Sequence, residues 1–462
     1  MRRTSDLGRQ TSGPVGGRWR SVLGQVLVIL TCVSIHSTAQ TKPIALKGGK
    51  LLTITHGTIE NGVLVMDQGK IIAVGPAAST KIPTGAQVID VSGMTVYPGL
   101  IDSETALGLT EISAESSTND LIELSDEIMP HMHVSDAFHA ESELIPVARL
   151  NGITNAIVAP DTRDTLPGQD AFIQLDGQSA QEMLLVRDLA MPLNFTGDQR
   201  RNESRESRKF PSTRMGLASQ LRQAFIDAQD YAQRWTDYEK KKTDAPKPDE
   251  KEQDKEKDKK QPPSPPKRDL KMEALLPYLQ GKKQVVLAAQ ESNDLETAVN
   301  LAREFNLKFV LDHISHSQRV LDYVAGLKVP VIVGPIYEDP KAAERYDTVY
   351  SLPAQLYKRG VKIAFASFEA HGVRNLPYQA GYATAFGLPY DEALKAITLN
   401  PAEIWGVADK LGSLDAGKTA NVVVANGDPL DIKTDVKQVF IEGRQIPMTS
   451  RQTRLRDQYS GQ

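Results

Sequence analysis

Short apolar runs alternate with polar residues through the first part of the chain beyond residue 40. "KGGKLLTI" and "ENGVLVMDQGKIIAVG" read as half-buried strands, with tight turns expected at Glu60-Asn61-Gly62 and Asp67-Gln68-Gly69. The same texture returns near the C-terminus in "GKTANVVVANGDPLD" and "VKQVFIEGR". Two ends of one character bracket a middle of another, which predicts a small β-domain built from both termini. In the middle, short apolar strands alternate with amphipathic helices. Strands are predicted at Ile153 to Pro160, "AFIQLDG", Gln284 to Gln290, Lys308 to Ser315, "VPVIVGP" and Val361 to Phe368. Between two of them, Leu295, Val299, Ala302 and Phe305 share one helical face, with Asn293 as N-cap and Glu296 at the capping-box position. Further on, "NPAE" places Asn400 as a cap and Pro401 at the first helical position, with Glu403 three residues beyond the cap. Buried strands alternating with helices over this length predict a parallel sheet, and a (β/α) barrel fits it best.

The stretch Glu239 to Asp269, "EKKKTDAPKPDEKEQDKEKDKKQPPSPPKRD", breaks the pattern. It mixes dense charge with proline and has no apolar period, so it is expected to be a disordered loop. The helices "LASQLRQAFIDAQDYAQRW" and "MEALLPYLQG" on either side belong to the barrel. At the N-terminus, Arg18 and Arg20 flank Trp19, and an apolar run follows from Ser21 to Ile35. Small residues Ser37 to Ala39 then fit a signal peptide cleaved before Gln40. The run is short for a membrane-spanning helix, which needs about 20 residues. An uncleaved anchor and a lipoprotein signal at Cys32 are the alternatives. With Cys32 the only cysteine, the mature chain has no thiolate for a metal site or for nucleophilic attack.

Composition adds exclusions. The chain has 462 residues, 40% hydrophobic and 24% charged, enough for a large well-buried core. Its net charge of -4 gives no electrostatic case for nucleic acid or for an acidic membrane surface. No phosphate-binding glycine loop precedes a helix, and no G-x-S-x-G elbow is present.

"VYPGLID" followed by a polar pair resembles the first barrel strand of the amidohydrolase superfamily, in the branch that includes imidazolonepropionase-like enzymes. "RNLPYQAGYATAFGLPYDEALKAITLNPAEIWGV" and "KLGSLDAGKTANVVVANGDPL" resemble that branch's last helices and its return to the β-domain. The resemblance implies an α/β fold, a (β/α)8 TIM-like barrel with a small β-sandwich domain formed by both chain ends. The expected layout is a signal peptide over 1–39, sandwich over 40–96, barrel over 97–410 with its charged insertion at 239–269, sandwich again over 411–447, and a tail over 448–462. It further implies one or two divalent metals at the C-terminal mouth of the barrel. Their ligands would be a His-x-His on the first strand, single histidines on the fifth and sixth, and an aspartate after the eighth.

This chain departs from that ligand set. Asp102 precedes the pair, but the pair itself is Glu104 and Ala106. The fifth-strand position falls at or near Ala288, with Gln290 the nearest polar side chain. His313 keeps the sixth-strand position, and the eighth-strand aspartate is replaced by Phe368, between Ser367 and Glu369. The cleft candidates are therefore Asp102, Glu104, His313, Glu369, His371 and Arg374, the last two placed near the mouth where an anionic ligand would be met. His131 and His133 form a His-x-His in the segment after the first strand, read as a loop or cap, and His316 is expected at the surface.

Two main readings follow. In the first, an exported protein, periplasmic or extracellular and a hydrolase of non-peptide C–N bonds by descent, has lost most of its metal site. No cofactor is then expected and no catalytic residue is assigned. The barrel mouth binds a small molecule, or the chain pairs as a homodimer or as a heterodimer with an intact amidohydrolase. In the second, it is an active hydrolase of cyclic amides or dipeptides with a rearranged site, either metal-free or holding one divalent metal such as zinc on Glu104, His313 and Glu369. A third, purely structural reading makes the charged insertion a contact element in the envelope. No stable membrane span is expected once the signal is removed.

Overall fold

Strand alternation decides how the two parts of the molecule share their cores. The computed structural model describes residues 42–123, 125–196, 210–244, 263–316, 318–341 and 344–460. The expected signal segment and the centre of the charged insertion lie outside them. Both chain ends contribute to an eight-stranded sheet. From the N-terminal side come β1 (Ile44–Leu52), β2 (Thr58–Asp67), β3 (Lys70–Pro76), β4 (Gln87–Asp90) and β5 (Thr95–Pro98); from the C-terminal side come β15 (Val422–Ala425), β16 (Val436–Ile441) and β17 (Arg444–Ile446). The order is β17-β16-β15-β5-β1-β2-β3, with β4 also paired to β1, so β5 and β15 are the seam between the two ends. Val96, Val422, Val424 and Phe440 pack into the core of this sheet with Leu46, Leu51 and Leu64. Their strand neighbours Tyr97, Val423, Ala425, Val439 and Ile441 point the other way and join the core of the barrel. Period-two alternation thus binds one sheet to two cores.

The second body is built on parallel strands. β6 (Leu100–Thr105) pairs β7 (Ile153–Val158), and a five-stranded arc runs β10 (Ala190–Asn194), β11 (Gln284–Ala288), β12 (Lys308–Asp312), β13 (Val331–Val333) and β14 (Ile363–Phe365). Ala396 and Ile397 bridge β14 to β6, through Phe365 N–H to Ala396 O (2.9 Å) and Ile101 N–H to Ile397 O (2.9 Å). On the far side Asp170 N–H donates to Ala190 O (3.0 Å) and Asn194 N–H to Thr165 O (3.0 Å). These are the expected α/β barrel strands, hydrogen-bonded as two arcs rather than as one continuous ladder among the described residues. Ile101, Ile157, Val286, Val310, Ile332 and Ala364 fill the interior, and the helices pack outside against the opposite faces of the strands.

Several local expectations change. Asn61-Gly62 is not a turn between strands but a bulge inside β2: Asn61 takes φ 46°, and a Cβ at Gly62 would fall on the Leu51 side chain. The Gln68-Gly69 turn is where the sequence puts it, at the β2–β3 hairpin. "AFIQLDG" forms β8 (Ala171–Gln174), which runs antiparallel to β7 and leads to β9 (Leu184–Val186). The strand beside β11 is instead β10, which the pattern missed because "AMPLN" is short and carries Pro192. The helix Ser292–Glu304 begins at Glu291, not Asn293, and uses no side-chain cap. Asn400 lies inside the helix Leu399–Ile404, where its Nδ2 donates to Ile363 O (2.8 Å) and docks the helix on β14. The helix Arg214–Thr243 runs into the start of the charged insertion, and Asp269 caps the helix Leu270–Leu279 at its other end. The expected tail carries the helix Arg451–Tyr459, closed by a Ser450–Thr453 capping box.

Candidate functional site

At the C-terminal ends of β6 and β12 three acceptor groups converge. Glu104, Asp312 and His313 each offer one ligand atom, all within 4.8 Å of one another. β6 is buried along its whole length, which carries Glu104 inside at 6 % exposure. On β12, Val310 belongs to the barrel interior, so alternation brings Asp312 to the same side at 1 % exposure. His313 then leaves the strand in the left-handed region, φ 52°, which sets its Nδ1 3.0 Å from Asp312 Oδ2. Phe368 also has a positive φ, 58°, an uncommon state for a bulky side chain. Its N–H donates to Glu104 O (2.9 Å), and its ring sits 4.1 Å from the His313 ring, centroid to centroid.

More carboxylates stand behind the three. Asp102 accepts from Ser367 N–H (3.0 Å) and Glu104 N–H (3.2 Å) through Oδ1, and its Oδ2 has no hydrogen-bond partner among the described residues. Burial pushes the Asp102 carboxyl up to about 7, against the pull of those donors. Burial also holds Glu104 well above the usual carboxylate range, helped by the charge of Asp312 and a hydrogen bond with it, and by the charges of Asp170 and Asp102. Asp170, 1 % exposed, is raised by burial and then by Asp312. Burial opposes the protonated form of His313, but Asp312, Glu338 and Asp161 together raise it. The result is a desolvated acidic interior with one imidazole. A pocket of about 130 Å³ opens onto Glu104 and His313, with Ala106, Leu121, Pro160 and Phe368 among its walls.

The sequence candidates separate here. Asp102, Glu104 and His313 lie in this interior. Glu369 does not: its residue is exposed, and its contribution is a main-chain carbonyl that accepts from Thr105 Oγ1 (2.8 Å) and Ser367 Oγ (3.1 Å). The third carboxylate beside Glu104 and His313 is Asp312, so a set of Glu104, His313 and Glu369 is not what the fold assembles. His371 and Arg374 are exposed; the Arg374 carbonyl accepts from Asn151 Nδ2 (2.7 Å). His316 is not a surface residue, since its side chain is 7 % exposed and pairs with Glu344 at 2.9 Å. His133 Nδ1 lies 2.6 Å from Asp188 Oδ1, which anchors the cap segment. Asp170 and Asp312 were not among the candidates. Asp312 had one available signal, an acid ending an apolar strand directly before a histidine.

A divalent ion held as the resemblance implies does not fit. The methyl groups of Ala106 and Ala288 and the ring of Phe368 occupy positions where electron-pair donors are required. The different set Glu104, Asp312 and His313 does fit a divalent ion by donor type, since two carboxylates would balance its charge.

Comparison with known proteins agrees with the fold. An Amidohydrolase family model matches residues 340–446. Amidohydrolase tasK of Hapsidospora irregularis is 26% identical over 402 residues, covering 83% of this chain and 39% of that protein. The chain therefore spans about two fifths of that relative's length. An N-substituted formamide deformylase of Arthrobacter pascens is 39% identical over 59 residues, 12% of this chain and 11% of that one. Among solved structures, an amidohydrolase from Thermotoga maritima MSB8 superposes with a TM-score of 0.77 at 26% identity, over 88% of this chain and 100% of that chain.

Proposed function

Because the chain belongs to the amidohydrolase superfamily, we propose that it descends from hydrolases of non-peptide C–N bonds and no longer runs their ordinary metal-dependent reaction. The matches support the superfamily and not the imidazolonepropionase-like branch in particular. One observation carries the reading. Three strand ends that should supply metal ligands, on β6, β11 and after β14, supply Ala106, Ala288 and Phe368 instead, and Phe368 packs on the one implied histidine that remains. The barrel mouth then serves as a small-ligand site, and the chain acts as a binding protein or as the partner of a competent relative. Export, with the mature chain starting at Gln40, belongs to the same proposal. Among the described residues no helix is long and apolar enough to cross a membrane.

Elemental analysis tests this. After dialysis and zinc loading, the purified protein is expected to hold well under one divalent metal per chain. A ratio near one overturns the reading.

A second reading rests on the cluster itself. Glu104, Asp312 and His313 would hold one divalent ion with a position left open, the usual form of a catalytic site. Such an ion would polarise a carbonyl and bring the pKa of a bound water down towards neutrality. This chain's part would be to hold Glu104, Asp312 and His313 side by side, and the ion's charge would favour the Glu104 carboxylate that burial opposes. On this reading Glu104→Gln removes both the metal and any hydrolysis of cyclic amides or dipeptides.

A further inference from the structure

An asparagine followed by glycine can react with itself. The glycine nitrogen, unhindered by a side chain, closes on the asparagine side-chain carbonyl carbon and expels the amide. The chain holds three such pairs, Asn61-Gly62, Asn151-Gly152 and Asn426-Gly427. Three conditions favour the reaction. The glycine N–H must be unengaged, a donor must face the carbonyl oxygen where negative charge develops, and the amide must be free to leave into water.

The fold withholds these from two of the pairs. Gly152 N–H donates to Arg149 O (2.9 Å), and Asn151 Nδ2 donates to Arg374 O (2.7 Å) and Tyr378 Oη (2.9 Å), so nucleophile and leaving group are both held. Gly62 is buried within β2, opposite Gly49 of β1 and Pro76 of β3, and ring closure would pull it from both. Asn426-Gly427 meets all three conditions. Asn426 is exposed and directly follows β15. Among the described residues neither Gly427 N–H nor Asn426 Nδ2 donates to any group. Asp435 N–H donates to Asn426 Oδ1 (2.8 Å), which polarises the carbonyl and places a donor where the oxyanion would form.

That bond also has a structural role. With Asn426 N–H to Asp435 O (3.1 Å), it clasps the two ends of the β15–β16 connection. The connection is packed on two helices: a Cβ at Gly381 in Leu376–Ala385 would fall on Leu430 O, and Tyr390 Oη from Tyr390–Lys395 donates to Asp428 Oδ1 (2.9 Å).

We propose that Asn426 is a self-modification site, where the side-chain amide is lost to Gly427 without an enzyme and the product unfastens the β15–β16 connection. The Gly427 nitrogen gives up its proton and bonds to Asn426 Cγ, the Cγ–Nδ2 bond breaks, and ammonia leaves with that proton. Water then opens the succinimide at either carbonyl, giving aspartate or isoaspartate. Isoaspartate puts an extra methylene in the main chain, which moves the acceptor away from Asp435 N–H. Either product adds a negative charge to a connection that already holds Asp428, Asp431 and Asp435.

Peptide mapping by mass spectrometry tests it. The full chain is aged at mildly alkaline pH, folded and in parallel unfolded in urea, and each Asn-Gly peptide is read for aspartate and isoaspartate. In urea the three pairs are expected to convert alike, because only local sequence then sets the rate. In the folded chain Asn426 is expected to convert first, with Asn61 and Asn151 slower by at least about tenfold. Asn426→Gln, whose longer side chain closes a ring far more slowly, is expected to lose the modification. Its Tm should hold on ageing while the parent's falls. Conversion led by Asn61 or Asn151 in the folded chain, or an Asn426 that converts in urea and stays intact when folded, overturns the site. A parent whose Tm holds while Asn426 converts overturns the unfastening.

Discussion

Glu273 shows how a single carboxylate can tie two helices across a long insertion. It accepts from Arg268 through both oxygens (2.8 and 2.6 Å) and from Tyr231 Oη (2.8 Å), and Tyr231 belongs to the helix before the insertion. Those bonds, Arg268 first, pull its carboxyl down to about 2. A depressed acid stabilises the fold above its ordinary pKa of 4.5 and loses that contribution as pH falls through about 2. Glu273→Gln is therefore expected to lower Tm near neutral pH, with the gap to the parent closing between those two values. A gap that stays constant down to acid pH would refute the assignment. At the same scale, Glu104 and His313 were legible because they occupy strand-end positions of a known pattern. Asp312 and Asp170 were not. The histidine after Asp312 was its one local signal and Asp170 had none; only the curvature of the strands, which sets the C-terminal ends of β6 and β12 and the start of β8 near one another, brings the carboxyls together.

Elements were legible where their pattern was long and regular, and misread where a residue broke it. The strands β7, β11, β12, β13 and β14 all fall within the predicted runs, and the helix Ser292–Glu304 carries the predicted apolar face although it starts before the expected Asn293 cap. β10 was hidden by Pro192, and the direction of β8 cannot be read from alternation, which is the same for parallel and antiparallel neighbours. Between β5 and β6 the motif glycine has a steric reason. A Cβ at Gly99 would fall on Thr154 Oγ1 and Cγ2, well inside contact distance, on a strand with no exposed face. Gly99→Ala is expected to cost about 1–3 kcal/mol through this overpacking, read as a lower urea midpoint. Adding Thr154→Ala should return part of the loss. An unchanged midpoint in Gly99→Ala would mean that the two strands can move apart at no cost.

At the scale of the whole molecule, a buried polar chain fastens the β-domain to the barrel. Asn155 Oδ1 accepts from Thr154 Oγ1 (2.8 Å) and from Asn421 Nδ2 (2.8 Å), while Asn421 Oδ1 accepts from Glu442 N–H (2.9 Å) and its carbonyl from Gly99 N–H (2.8 Å). Asn155→Ala strands the Thr154 and Asn421 donors in a dry seam, at about 1–3 kcal/mol for each. Differential scanning calorimetry should show Tm falling with a single transition preserved. Two separated transitions would show that the seam alone keeps the bodies cooperative. The composite domain was legible from the likeness of the two chain ends; its sharing of strands with the barrel core was not, because alternation gives two faces without saying what covers each.

The order in which this chain is synthesised is fixed, and the order of its sheet is not the same. β1 to β5 leave the ribosome first, and the strand that pairs with β5 leaves near the end, Val423 opposite Tyr97. Throughout synthesis of the barrel, β5 therefore presents an open edge of backbone donors and acceptors, with Tyr97 lacking its final cover. Such an edge is a template for wrong pairing with another nascent chain. The molecule thus depends, during its own making, on whatever shields that edge, and a messenger truncated before Val422 would yield a chain that can never close it.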